Sequence, residues 1–197
     1  MAIQMTPPES VPVVNVEPAK RDTAPLAVRD TARESGTELV LGKMIGVVSN
    51  DISAEIGMLI GSVVTIFVRQ HKLGRVRGAN AGYVIYGERY MPDISFVSKQ
   101  RMPRPANSDW VPLAPDLAVE VLSPGDDSRD VRVKIANYLS AGSAVWLIDP
   151  GVKEVEVYMP GAPVRRLTMG ETLDGGALLP GFSLPLKLIF EDADGGE

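Results

Sequence analysis

Pro115-Asp116-Leu117-Ala118-Val119-Glu120-Val121-Leu122-Ser123-Pro124 is a short apolar run with proline at both ends. A run of this length between breakers reads as a strand buried on both faces of a sheet. One carboxylate, Glu120, stands in its middle. A buried, unpaired carboxylate costs several kcal/mol, so Glu120 needs a cation, a set of hydrogen bonds or a chemical task. Two partners lie outward along the chain. Upstream, Asp93 opens the strand-like segment Ile94-Ser95-Phe96-Val97; downstream, Lys134 falls on the helix that follows Glu120. Asp93, Glu120 and Lys134 form the candidate site, expected to converge on one divalent metal ion.

Composition narrows the chemistry. The chain has 197 residues, enough for one domain with a core, and an apolar fraction of 45% excludes a wholly disordered chain. It has no Cys and one His, which excludes disulfides, thiolate zinc sites and Cys nucleophiles. A metal here would therefore take oxygen ligands, which suits Mg²⁺ or Mn²⁺. The net charge of -5 argues against coating nucleic acid by bulk attraction, though not against a local basic groove. No run reaches the roughly 18 apolar residues needed to cross a bilayer. The N-terminus lacks the basic start and apolar core of a secretory signal, so a cytoplasmic location is expected.

Taken in order, residues 1–35 read as a loose N-terminal arm rich in Pro and charge, with a short helix possible over 25–34. Residues 36–191 read as one domain and 192–197 as an acidic tail. The apolar runs 37–41 and 44–48 flank Gly42-Lys43 and read as a hairpin. Asn50-Asp51 offers a cap for an amphipathic helix carrying Ile56, Leu59, Ile60, Val63, Val64 and Phe67, ending near His71. Short strands follow at 75–76, 83–86, 89–91 and 93–97. A mildly basic loop covers 99–109. After the Glu120 strand, a second helix opens at Asp127 or Ser128, buries Val131, Ile135, Tyr138 and Leu139, and stops at Gly142. Strands are expected at 144–148, 154–159 and 164–167, with an extended closing segment at 181–185. The order predicts a mixed α/β fold, a central sheet flanked by helices.

Asp130, Lys134 and Tyr138 share one helix stripe, so Lys134 borders the buried face and can send its ammonium inward along apolar surface. Two carboxylates and a lysine suit phosphodiester hydrolysis: a carboxylate-held divalent ion activates water and neutralises charge developing on phosphate oxygens, and a lysine orients or deprotonates the water. The bland readings differ by residue. Asp93 alone reads as a turn former after Pro92. Glu120 and Lys134 could form a purely structural ion pair on a non-catalytic binding or assembly module. Asp130 reads as a helix-start carboxylate, Tyr138 and Trp146 as core, and Asp126 and Asp127 as loop and cap. Arg69, Lys72, Arg75 and Arg77 read as a solvated face that could also track a phosphate backbone. A two-carboxylate glycosidase is less favoured, because aromatic residues for stacking sugars make up 6% of the chain.

The segments Pro92-Asp93-Ile94-Ser95-Phe96-Val97, the Glu120 strand with Ser123-Pro124, Lys134 with Tyr138, Ala141-Gly142, Val145-Trp146-Leu147-Ile148-Asp149-Pro150 and Leu179-Pro180-Gly181-Phe182 together resemble the Uma-type restriction endonuclease family of bacteria, within the PD-(D/E)xK nuclease superfamily. The resemblance spans roughly residues 38–190. It implies a restriction-endonuclease-like α/β core, DNA as substrate, a homodimer, and Mg²⁺ or Mn²⁺ held by Asp93 and Glu120, with Val121 beside them. The superfamily's usual lysine position, two residues past the acid, is Leu122 here, and the family resembled places its lysine on the next helix, at Lys134. Two further departures stand at Ser53, where the family often has His, and Met91, where a basic residue is common. Glu38 is a further acid that the resemblance would bring near the site.

Overall fold

The computed structural model describes residues 36–46 and 49–191. The expected N-terminal arm with its helix, the end of the second hairpin run and the acidic tail lie outside the described residues. The first hairpin joins β1 (Thr37–Val40) to β2 (Lys43–Gly46), with Val40 paired to Lys43. Its turn is Leu41-Gly42, one residue earlier than expected. Both residues take positive φ, 52° and 72°, the backbone of a tight turn whose twist matches the strands. Leucine rarely adopts that conformation, so the sequence did not advertise it.

Asn50 caps α1 (Asp51–Gln70), its side-chain oxygen accepting from the Ser53 N–H at 2.8 Å. The helix buries Ile56, Ile60, Val64 and Val68 against the sheet. By length and composition α1 is long and apolar enough to cross a membrane. Gly, Ser and Thr interrupt its apolar run, so no uninterrupted stretch reaches roughly 18 apolar residues. Then come β3 (Gly74–Gly78), β4 (Gly82–Ile85), β5 (Glu88–Tyr90), β6 (Ile94–Ser98), β7 (Trp110–Val111) and β8 (Leu117–Val121). Helix α2 (Ser128–Ser140) starts at an Asp127 cap. It ends where Gly142 turns left-handed, φ 85°, while the Ser143 N–H reaches back to the Tyr138 carbonyl. The chain closes with β9 (Ala144–Asp149), β10 (Glu154–Tyr158), β11 (Arg165–Thr168), β12 (Thr172–Gly175), β13 (Leu179–Pro185) and α3 (Lys187–Phe190). The mixed α/β architecture is as expected; β7, β12 and α3 are elements the sequence did not announce, each too short or too polar to show a period.

The central sheet has six strands in the order β11-β10-β9-β8-β6-β3. Its one parallel pair is β8–β9, joined over α2; the other neighbours are antiparallel. A second sheet, β2-β1-β5-β4-β7, carries the first hairpin, and β12–β13 forms a small third sheet. The pleat of the central sheet separates two cores. Ile94, Phe96, Leu117, Val119 and Trp146 face α1, α3 and Phe182. Val97, Ala118 and Val145 face α2 and the second sheet, where Val40, Tyr83 and Tyr90 are buried. The Glu120 strand is buried at every position, as its composition predicted.

Candidate active site

Strands β6 and β8 pair antiparallel, with Ile94 opposite Val119. Asp93 and Glu120 lie one residue beyond that pair; Glu120 shares the α2 face with Ala118, and Asp93 sits just before β6, its Cβ close to Gly57 of α1. The Asp93 carboxylate ties the strands together at this point: its Oδ2 accepts from the Val121 N–H at 2.7 Å. Lys134, about two turns into α2, sends its ammonium to Glu120 Oε2 at 2.7 Å and to Glu38 Oε2 at 3.0 Å. Tyr138, one turn further, donates its hydroxyl to Glu120 Oε1 at 3.1 Å. Glu38 arrives on β1, and its Oε1 accepts from the Met91 N–H at 2.6 Å. Four distant segments thus meet at one end of the β6–β8 pair. They line a cleft of about 560 Å³ whose rim is completed by the loop carrying Ser123, Asp126 and Asp127.

Burial dominates the electrostatics. Glu120 is 9% exposed, and desolvation raises its pKa above the usual carboxylate range; Lys134 opposes the rise, while Glu38 and Asp93 add to it. Asp93 is raised for the same first reason, relieved in part by its Val121 hydrogen bond and by Lys134 and worsened by Asp126. Burial works to lower the pKa of Lys134, but Glu120 and Glu38 outweigh it and the net shift is upward. Tyr138 is pushed well up by burial and by Glu120, so it stays a phenol and a donor. Among the described residues, the cleft is lined by Glu38, Asp93, Glu120, Asp126, Asp127 and Asp130 against a single ammonium, Lys134.

Among the described residues, no three His, Cys, Asp or Glu side chains form a metal-holding group. The expected donor set is smaller, two carboxylates and Val121. Val121 could offer only its backbone carbonyl, since its N–H is committed to Asp93. Among the described residues, Asp93 Oδ1 has no hydrogen-bond partner and is not fully buried, because every fully buried polar side-chain atom is partnered. Glu120 already accepts one hydrogen bond at each oxygen, which leaves a lone pair on each. All are hard oxygen donors, so the set fits Mg²⁺ or Mn²⁺.

The structure brings Asp93, Glu120, Lys134 and Glu38 together, as the sequence reading anticipated. Tyr138, read as core, is fully buried and also holds Glu120. Its spacing from Lys134 on α2 was the available signal. Asp127 is the cap that was expected, and Asp130 turns toward the cleft. A network went unseen: Glu88 Oε2 accepts from the Tyr90 hydroxyl and from Asn137, while Oε1 accepts from the Leu41 N–H at 2.8 Å. These residues come from three separate elements, and none stands out in the sequence. Arg77 departs from a plain solvated face, since it reaches inward to Tyr83 and Met102.

A family model, Uma2, described as "Putative restriction endonuclease", matches residues 26–187. The chain belongs to the Uma2 family. Among solved structures, the Uma2 chain is similar to one described as "a putative nuclease belonging to DUF820" from Anabaena variabilis, at 26% identity and a TM-score of 0.73. The match covers 82% of this chain and 93% of that one. No curated protein matches. The two departures of this Uma2 chain now have places. Ser53 is buried at the cleft end of α1, its hydroxyl donating to the Leu122 carbonyl at 2.7 Å. Met91 lines the cleft, and its N–H binds Glu38.

Proposed function

We propose that the cleft hydrolyses DNA phosphodiester bonds with one divalent cation, Mg²⁺ or Mn²⁺, held by Asp93, Glu120 and the Val121 carbonyl. The observation that carries this reading is the meeting of Asp93 and Glu120 on neighbouring strands with Lys134 at the same cleft. Charge supports it. Among the described residues, six acidic side chains face one ammonium in the cleft, so an anionic substrate needs a counter-cation there. When bound, the ion supplies a nucleophilic water and offsets charge on the phosphate. Asp93 presents a free carboxylate oxygen. Lys134, flanked by two carboxylates, stays an ammonium; its role is to orient water and phosphate rather than to take a proton. Tyr138 holds Glu120 in place. Family membership and the similar nuclease structure support the same class of reaction. Cutting both strands would call for two copies of the chain, so a homodimer belongs to this reading.

The test is cleavage of supercoiled and linear DNA with Mg²⁺ or Mn²⁺, comparing the parent with Glu120→Ala. Cleavage that needs the ion and disappears in the variant is expected. Equal cleavage by both proteins would remove the assigned site. A second reading, a non-catalytic nuclease-fold module with a structural ion pair, is favoured by one observation: each Glu120 oxygen is already hydrogen-bonded, and Lys134 already has two carboxylates. Absence of both Mn²⁺ binding and cleavage in a folded parent selects that reading.

A further inference from the structure

Four cations gather at the end of the central sheet away from the cleft. Arg69 ends α1, Lys72 lies in the turn after it, Arg75 follows on β3, and Lys99 comes directly after β6. The backbone sets them side by side around edge strand β3, with Arg69 at the end of α1 and Arg75 on the opposite sheet face, which it shares with Val97. The Lys72 N–H donates to the Arg69 carbonyl at 3.3 Å, the Lys99 N–H to the Leu73 carbonyl at 2.8 Å, and Arg75 pairs with Val97. Gly74 permits this close approach, since a Cβ there would stand 2.2 Å from the Val97 carbonyl oxygen. All four side chains are exposed. Among the described residues, none reaches an acid within ion-pair distance, whereas Arg101, Arg165 and Arg166 each do.

The chain carries a net charge of -5, so this group is not part of a generally basic surface. Arg69 suits the C-terminal end of α1, but four grouped cations with no acid partner among the described residues serve the fold no further, and a solvated face needs no such grouping. They do fit a polyanion. The charge along α1 also separates, with Asp51 and Glu55 at its cleft end, Arg69 at the far end and no charge between. Ser53 anchors the cleft end through the Leu122 carbonyl. From Ser53 to Arg69 the helix rises about 24 Å. One strand of duplex DNA offers a phosphate every ~3.4 Å of axis, so that rise spans about seven phosphates.

We infer that Arg69, Lys72, Arg75 and Lys99 form a backbone-binding surface for duplex DNA, engaging phosphates about seven base steps from the one in the cleft. This rests on the nuclease reading of the cleft and adds where the flanking duplex is held. Such contacts position the duplex without reading its sequence.

The experiment is fluorescence-anisotropy binding of a labelled duplex longer than the proposed span, at fixed Ca²⁺ and varied KCl. It compares the full-length parent, Arg69→Gln/Lys72→Gln/Arg75→Gln/Lys99→Gln, the double variant Arg75→Gln/Lys99→Gln, and a control, Arg165→Gln/Arg166→Gln. Circular dichroism confirms folding, and the double variant carries the test if the quadruple one is unstable. Each lost phosphate contact should make the slope of log K against log salt shallower by about 0.9, so the quadruple variant should lose about 2 to 4. Its affinity at low salt should fall at least about tenfold, and the control should keep the parent's slope. Parent-like slope and affinity in the quadruple or double variant would overturn this surface and leave the cleft reading standing. A parent that does not bind duplex at any salt would overturn both.

Discussion

Lys134 and Glu120 stand 2.7 Å apart, nitrogen to oxygen, although one comes from the second helix and the other from the middle of the central sheet. Neither side chain is fully shielded, at 14% and 12% exposure, yet both lie well inside the surface. That contact, shared with Glu38, sets the first prediction.

Lys134→Met removes the one cation facing two buried carboxylates. Loss of one partner of a buried pair costs about 3–5 kcal/mol, and the partial exposure here points to the low end, about 3. Lys134→Met/Glu120→Gln should recover much of that loss, because the surviving buried charge is then reduced. Urea unfolding of the two single variants and the double gives the coupling energy. Strict additivity would mean that the contact does not hold in solution.

Burial raises the pKa of Glu120 and of Asp93. A carboxyl that holds its proton in the fold but loses it in the unfolded chain makes stability fall as pH rises. The stabilising effect is complete below the unfolded carboxylate range and is lost as pH climbs from there through the raised folded values. Metal-free protein should therefore lose stability across that window, and Glu120→Gln should flatten the loss. Thermal melts at stepped pH decide it; a parent whose stability rises steadily over the same window would show that the ion pair with Lys134 outweighs burial.

Glu120 titrates at about 8, so a divalent ion bound to its carboxylate near neutral pH displaces a proton. Calorimetric titration of Mn²⁺ near neutral pH, in two buffers of different ionisation heat, should show net proton release in the parent. Asp93→Asn and Glu120→Gln should each bind more weakly, and Glu120→Gln should release fewer protons. Proton-neutral binding in the parent would place the ion elsewhere.

Asp93 has a structural task that separates from its charge. Asp93→Asn keeps an oxygen to accept the Val121 N–H, so stability should stay within about 1 kcal/mol of the parent while cleavage is lost. Asp93→Ala leaves that N–H without its partner and should cost about 1–3 kcal/mol more. Equal stability of the two variants would show that the hydrogen bond contributes nothing.

Glu88 holds the first hairpin against α2 through Leu41, Tyr90 and Asn137. Glu88→Ala should cost about 1–3 kcal/mol and speed amide exchange at Leu41, on the hairpin that presents Glu38 to Lys134. Unchanged exchange at Leu41 would remove that coupling.

The apolar run around Glu120, the helical spacing from Ile56 to Phe67 and the Asp127 start of α2 made the mixed α/β core readable in the chain itself. Each is a local property: periodicity, a cap, a breaker. A charge in a buried strand also marked Glu120 from sequence alone, with Asp93 and Lys134 as its candidate partners up and down the chain. Tertiary structure alone decided which groups satisfy that charge. Glu38 shares Lys134 because the pairing of β1 with β5 carries it there, and Tyr138 reaches Glu120 because α2 crosses back over β8. The left-handed Leu41, the Glu88 network and the grouping of Arg69 with Lys99 likewise depend on contacts between distant segments. Hydrogen bonds and charge pairing act through space at a few ångströms, and no spacing along the chain encodes which distant residues will arrive there.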